Sequence, residues 1–188
     1  MSKIVVINGS PHKQGCTAAL LAKISKGINK RGGEVKSFFL SRMTIQNCQG
    51  CYFCQRQCCC VLKDDMQELY EHIHFSQGVV LATPVYMWQM TAQLKLIIDR
   101  FHPFIRPDYS SNLPPGKKVL LAVTQGIEDT SLYREYFDHV GKSLLFLGFA
   151  AYKTLIAGGT HKPEDLAKQT EVLAEARKLG NWLCQPFL

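Results

Sequence analysis

Short apolar runs alternate along the chain with segments whose apolar residues recur every three or four positions. The β-type runs are Lys3–Asn8, Val35–Leu40, Gly78–Thr83, Lys118–Val123 and Phe149–Ile156. The helical pattern covers Thr17–Lys30, Thr91–Phe101, Thr130–Leu147, Pro163–Cys184 and a segment that opens at Asp64-Asp65. Five strands that alternate with five helices predict an α/β fold, in which helices cover both faces of a parallel sheet.

Crossover handedness restricts how such strands can be ordered. The flavodoxin-like order 2-1-3-4-5 suits five strands joined by right-handed crossovers. We expect one doubly wound domain over residues 1–188, with a cysteine-rich insertion at about 42–62 after the second strand. Ligands of such sheets bind beyond the carboxyl ends of the strands, so the loops after strands one, three and four are expected to meet there.

Composition places the chain among ordinary globular proteins, with 46% hydrophobic and 20% charged residues. Its apolar runs are shorter than the roughly 20 residues of a membrane span, and the N-terminal run is too short for a signal peptide. We therefore expect a soluble, cytoplasmic protein. Eight of its 22 basic residues lie within residues 1–42, beside the single acid Glu34. They form either a solvated helix face or a docking face for an acidic partner or an anionic cofactor. The absence of a nucleic-acid motif argues against nucleic acid.

Six of the eight cysteines lie between Cys48 and Cys60. The two-residue gaps of Cys48-x2-Cys51-x2-Cys54 let one loop ligate three corners of an iron–sulfur cube. Either Cys58 or Cys60 could supply the fourth corner. A zinc site is a weaker alternative because its ligand pairs are usually further apart, and free thiols are another.

Three loops carry the remaining candidate chemistry. The stretch 8–17 has small and hydroxyl residues before a helix, a place where backbone N–H groups bind phosphate, although it is neither a Walker A nor a G-x-G-x-x-G sequence. The stretch 83–90 contains Tyr86, Met87 and Trp88, which either flank a planar ring or roof the core. A third loop, 124–126, alone indicates only a turn. Asp99 and Arg100 are expected to pair locally at a helix end.

Four segments in order resemble the iron–sulfur flavoprotein branch of the NADPH-dependent FMN reductase family. They are GSPHKQGCT, CQGCYFCQRQCCCVLKDDM, ATPVYMWQMTAQLKLIIDR and VTQG, and the resemblance covers roughly residues 1–155. It implies bound FMN, a homodimer or homotetramer, and two-electron chemistry on a quinone, a flavin or a similar small acceptor. It also implies that the flavin carries the chemistry without a catalytic side chain.

The resemblance assigns site residues at the matched positions. The FMN phosphate would be held by Ser10, His12, Cys16, Thr17 and Ala18. The isoalloxazine ring would be edged by Pro84, Val85, Tyr86 and Met87, with Trp88 close by, and the site closed by Thr124, Gln125 and Gly126. A 4Fe-4S cluster would be held by Cys48, Cys51, Cys54 and Cys60, because Cys60 stands immediately before VLKDDM.

Two positions depart from the family pattern. His12 replaces the usual arginine, so a titratable side chain stands where a permanent charge is common. Cys16 replaces an asparagine, and its place at a helix N-terminus predicts a lowered thiol pKa.

These observations favour an FMN-dependent oxidoreductase or electron-transfer flavoprotein that carries a 4Fe-4S cluster. We expect the cluster near the flavin edge, at a subunit interface, with an acidic ferredoxin-like protein as the electron donor. The alternative is a cluster-free NAD(P)H-dependent FMN or quinone reductase whose cysteines are thiols.

Overall fold

A parallel sheet forms the centre of the protein, which a computed structural model describes over residues 2–187. Its strands are β1 (Lys3–Asn8), β2 (Glu34–Phe39), β3 (Gly78–Tyr86), β4 (Gln89–Met90), β5 (Lys118–Thr124) and β6 (Ala151–Ala157). The five parallel strands follow the order β2-β1-β3-β5-β6, while β4 pairs antiparallel with β3. The predicted flavodoxin-like order is confirmed, with β5 and β6 as the fourth and fifth parallel strands.

Seven helices connect and cover these strands. They are α1 (Cys16–Lys30), α2 (Phe53–Gln57), α3 (Met66–Phe75), α4 (Ala92–Asp99), α5 (Arg134–Phe146), α6 (Pro163–Lys168) and α7 (Thr170–Leu183). One core layer lies between the sheet and α3, α4 and α5, and a second lies between the sheet and α1, α6 and α7. Burial of apolar side chains in both layers is the main stabilising contribution to the fold.

The pair α1 and α7 packs with unusually little space between the two backbones. A Cβ atom added at Gly27 would overlap the carbonyl of Arg177, and one at Gly180 would overlap the carbonyl of Ile24. The two glycines therefore set the spacing of the helices that cover one face of the sheet.

The structure corrects three predicted boundaries. The C-terminal helix is two helices, which separate at Gln169. Helix α5 begins at Arg134 instead of Thr130, because the Asp129 carboxylate accepts hydrogen bonds from the Ser131 N–H and hydroxyl and fixes a turn first. The third strand continues to Tyr86 and turns back as a hairpin. Over residues 2–187, no helix combines the length and apolar character needed to cross a membrane.

Candidate active site

The loop after β1 is fixed at the carboxyl edge of the sheet. The Gly9 N–H donates to the Ala82 carbonyl at 2.8 Å, and the Thr91 hydroxyl donates to the Gly9 carbonyl at 2.8 Å. A Cβ at Gly9 would lie 2.9 Å from the Leu94 Cβ, so a side chain has no room there. The loop is thus held between β1, β3 and the start of α4.

This loop ends at a helix N-terminus whose N–H groups are available to an anion. Ser10 is buried; its N–H donates to Asn8 Oδ1 at 2.9 Å and its Oγ accepts from the His12 N–H at 3.2 Å. Gly15 precedes α1 and has no side chain to cap the helix. The first turn, which contains the predicted residues 16–18, therefore keeps its N–H groups and its positive dipole end for a phosphate.

The loop after β5 meets this helix terminus through side chains. Thr17 Oγ1 lies 2.8 Å from Thr124 Oγ1, and both residues are buried. The Gln125 amide donates to the carbonyls of Ile127 and Asp129 at 2.9 and 2.8 Å. Its Oε1 is buried and lacks a hydrogen-bond partner within the described chain, so it is an acceptor for a donor from outside. Gly126 follows at the exposed edge.

A fourth loop, after β6, joins the site and was not predicted. The N–H and hydroxyl of Thr160 donate to the Gln125 carbonyl at 2.9 and 3.0 Å, and the Cys16 thiol donates to the Thr160 carbonyl at 3.6 Å. The only sequence signal was the pair Gly158-Gly159 immediately after a strand that ends at this same edge.

The predicted lowering of the Cys16 thiol pKa is wrong. Burial raises the pKa of Cys16, and the carboxylates of Asp165 and Glu164 raise it further. These effects outweigh a backbone hydrogen bond and the contact with Thr160, which lower it. Cys16 is therefore a neutral thiol at the helix terminus.

The loop after β3 is a two-residue hairpin with exposed apolar side chains. Met87 and Trp88 form its turn at φ values of 44° and 69°, which matches the mirror-image turns of tight hairpins but is unfavourable without glycine or asparagine. Exposure is 42% for Tyr86, 77% for Met87 and 66% for Trp88. The three side chains do not roof the core. Pro84 and Val85 lie half-buried behind them.

Four of the clustered cysteines line one cavity of about 210 Å³. They are Cys48, Cys51, Cys54 and Cys60. Cys58 and Cys59 line a neighbouring cavity instead, which they share with Cys60. The structure thus brings together the four cysteines that the resemblance selected and separates the other two.

The backbone around Cys54 and the pKa of its thiol are both consistent with these four cysteines sharing one cavity. Tyr52 and Cys58 adopt left-handed conformations at the two ends of α2, so the chain bends sharply on either side of Cys54. Burial raises the pKa of the Cys54 thiol, and negative charge on Cys60, Cys48 and Cys51 raises it further. Within residues 2–187, no three His, Cys, Asp or Glu side chains converge as ligands of a single metal ion.

The cysteine cavity lies at the opposite end of α4 from the hairpin. The cavity is lined by Asp99, the last residue of the helix, and by Arg100 and His102, which follow it, while the hairpin directly precedes the helix. Eight residues of helix span about 12 Å. The cysteines were expected near the flavin edge; within one protomer they lie at the end of α4 away from the hairpin.

One ion pair holds both ends of the cysteine segment. Arg100 binds Asp64 through two hydrogen bonds of 2.8 and 3.1 Å, and it donates to the Gln46 carbonyl at 2.7 Å. Asp64 also accepts from the Gln46 N–H at 2.9 Å. Burial by itself raises the pKa of Asp64, but the hydrogen bonds from Arg100 and Gln46 outweigh it and lower the pKa overall. The expected local pairing of Asp99 with Arg100 is wrong, since Asp99 pairs with Lys95.

His102 contacts one of the cavity cysteines directly. Its Nδ1 lies 3.2 Å from the Cys54 Sγ and 3.2 Å from the Gln55 side-chain nitrogen, which also donates to the Ile105 carbonyl. These contacts attach α2 to the turn that follows α4. Sequence reasoning had assigned no role to His102.

Comparison with known proteins identifies relatives of this chain. A family model for NADPH-dependent FMN reductases matches residues 2–136. An iron-sulfur flavoprotein from Archaeoglobus fulgidus is 40% identical over 187 residues, which is 98% of this chain and 80% of that protein. The solved structure of an NAD(P)H:quinone oxidoreductase from Methanothermobacter marburgensis superposes with a TM-score of 0.76 at 18% identity, covering 100% of this chain and 99% of the other.

Other relatives match over a shorter part of their length. An iron-sulfur flavoprotein from Methanosarcina thermophila is 39% identical over 99 residues, which is 52% of this chain and 51% of that protein. A second one from Archaeoglobus fulgidus is 40% identical over 106 residues, 56% of this chain and 54% of that protein. The matches thus span about half the length of these two curated relatives.

Proposed function

We propose that this chain, which belongs to the NADPH-dependent FMN reductase family, is an FMN-dependent oxidoreductase that also holds a 4Fe-4S cluster. The single observation that carries the cluster is the shared cavity of Cys48, Cys51, Cys54 and Cys60. The relatives named iron-sulfur flavoproteins support the same reading. When bound, FMN supplies two-electron chemistry and the cluster supplies one-electron transfer.

The carboxyl-edge loops fit the parts of FMN. The uncapped first turn of α1 and the buried Ser10 offer donors to the phosphate, with His12 exposed beside them. The orphan oxygen of Gln125 offers an acceptor to a polar edge of the ring. The exposed side chains of Tyr86, Met87 and Trp88 offer an apolar edge. All these residues bind and orient, so we assign no acid–base residue.

The position of the cysteine cavity bears on partners. In one protomer the length of α4 separates the cysteine cavity from the hairpin of the proposed FMN site. This separation favours a homo-oligomer in which the cysteine cavity of one copy lies beside the FMN site of another. The basic helix α1 packs on the opposite face of the sheet from α3 and α4. An acidic ferredoxin-like donor that docked on α1 would thus approach the FMN loops, not the cysteines. A quinone or flavin is the proposed acceptor, with NAD(P)H as the alternative donor.

The test is to purify the chain without oxygen and measure FMN, iron and sulfide per chain with the visible spectrum. We expect one FMN and about four irons per chain. Cys51→Ala should lose iron and keep FMN, whereas the matched control, Cys58→Ala with Cys59→Ala, should keep both.

Two results would change the assignment. Loss of iron in the Cys58/Cys59 variant would show that a different set of cysteines ligates the cluster. A flavin spectrum without iron in the wild type would favour the cluster-free NAD(P)H-dependent FMN or quinone reductase, whose cysteines are thiols.

A further inference from the structure

A buried arginine lines the cysteine cavity, and its Nε has no hydrogen-bond partner within the described residues. Arg100 is 1% exposed, and its two terminal nitrogens are occupied by Asp64 and Gln46. Its Nε–H is buried and has no acceptor within the part of the chain that the structure describes. An unpaired buried donor on a charged group is costly, so its retention beside a cavity suggests a missing acceptor.

The charged residues around the cavity indicate where the missing acceptor of the Arg100 Nε–H lies. Two charged side chains besides the cysteines line the cavity, Asp99, which pairs with Lys95, and Arg100. Asp64 is not among the lining residues, so Arg100 is the member of its ion pair on the cavity side. Burial by itself lowers the pKa of Arg100, but its hydrogen bonds to Asp64 outweigh burial and raise it overall. Tyr70, whose hydroxyl donates to the Arg100 carbonyl at 2.6 Å, lines the same cavity as Arg100 and Cys60.

We propose that Arg100 is the positioning residue of the cysteine cavity: its Nε–H donates to a sulfur of the cluster near Cys60, and its charge raises the cluster's reduction potential. This inference rests on the proposed function. Hydrogen bonds to sulfur and local net charge are the two main protein contributions to the potential of an iron–sulfur cluster. Asp64 is the fixed counter-ion that makes a buried guanidinium stable there.

The experiment is a redox titration of the cluster in anaerobically purified holoprotein. Electron paramagnetic resonance monitors the titration, and the pH is the same for every variant. The main variant is Asp64→Asn with Arg100→Gln, which removes both charges and leaves neither partner buried alone. We expect it to keep its iron and to lose at least tenfold in the equilibrium constant for one-electron reduction, a fall of about 59 mV. Lys26→Gln is the matched control, since it removes an exposed cation from α1 on the opposite face of the sheet, and we expect less than a threefold change.

A second variant covers the case in which the double variant does not fold. Arg100→Lys keeps a cation beside Asp64 but has no Nε–H, and we expect its potential to lie between those of the wild type and the double variant. Iron bound with a wild-type potential in every folded Arg100 variant would overturn this inference alone. A wild-type protein that binds no iron would overturn the proposed cluster and this inference together.

Discussion

Thr17 Oγ1 and Thr124 Oγ1 lie 2.8 Å apart, and this contact joins the first turn of α1 to the end of β5. Thr124→Val would leave the Thr17 hydroxyl buried without its partner. We expect the free energy of unfolding to fall by about 1–3 kcal/mol. The double variant Thr17→Val with Thr124→Val should lose less than the sum of the two single variants, because it leaves no unpaired hydroxyl. Urea unfolding measures both, with the exposed Thr44→Val as control. A Thr124→Val variant as stable as that control would contradict the prediction.

The positive φ values of Met87 and Trp88 in the hairpin turn are predicted to lower the free energy of unfolding. Met87→Asn with Trp88→Gly introduces the residues that a turn with two positive φ values prefers, so we expect the free energy of unfolding to rise by about 1 kcal/mol. FMN affinity should fall at least tenfold because two candidate ring contacts are lost. Fluorescence titration with FMN and thermal unfolding measure the two effects. Met87→Asn alone keeps Trp88 and so separates the stabilisation of the turn from the loss of the Trp88 contact. If the double variant bound FMN with unchanged affinity, the hairpin would not be part of the FMN site.

Replacing His12 is predicted to strengthen FMN binding. His12→Arg supplies a permanent charge and a two-pronged donor beside the proposed phosphate site. We expect the Kd for FMN at pH 8 to fall several-fold. Lys13→Arg controls for a general effect of arginine in the exposed loop. Equal affinities of wild type and His12→Arg for FMN would place the phosphate elsewhere.

Lys117 is predicted to make stability rise at alkaline pH. Its side chain is 1% exposed, and burial lowers its pKa to about 8, although its ammonium group donates to the carbonyls of Ser76 and His74. Below pH 8 the lysine is protonated in both states and the full cost of burying its charge remains. Between pH 8 and about 10.5 only the unfolded chain stays protonated, so the free energy of unfolding should rise with pH.

The measurement compares wild type with Lys117→Met in urea at several pH values. The difference between the two proteins isolates Lys117 from the other lysines, and we expect it to change in favour of the wild type by about 1–3 kcal/mol from pH 8 to 10.5. A constant difference would mean that the carbonyl acceptors fully offset the effect of burial on this lysine.

The parallel sheet was predictable because local and global signals agree. Buried strands such as Gly78–Tyr86 are nearly continuous apolar runs, and helices with an apolar face separate them. Right-handed crossovers then leave few possible orders. The same reasoning indicated which loops meet at the carboxyl edge, and the Thr17–Thr124 contact places two of them together.

The remaining features depend on contacts that the sequence does not display. The hairpin was missed because its turn residues, Met87 and Trp88, lack the glycine or asparagine that usually marks such turns. The path of the cysteine segment depends on Asp64 pairing with Arg100, far along the chain, where a local Asp99 pair seemed simpler. The rule that loops lie at the carboxyl edge of the sheet holds for short loops directly after a strand. It does not place a long insertion such as the cysteine segment.

The ion pair between Asp64 and Arg100 has a consequence for how the protein is made. Because Asp64 binds the Gln46 N–H and Arg100 binds the Gln46 carbonyl, the cysteine segment leaves and rejoins the rest of the chain at nearly the same point. The sheet and its helices can therefore complete their folding around a closed loop before any iron arrives. On the proposed function, cluster insertion is a late step of biogenesis, and a shortage of iron would leave a folded flavoprotein that awaits loading.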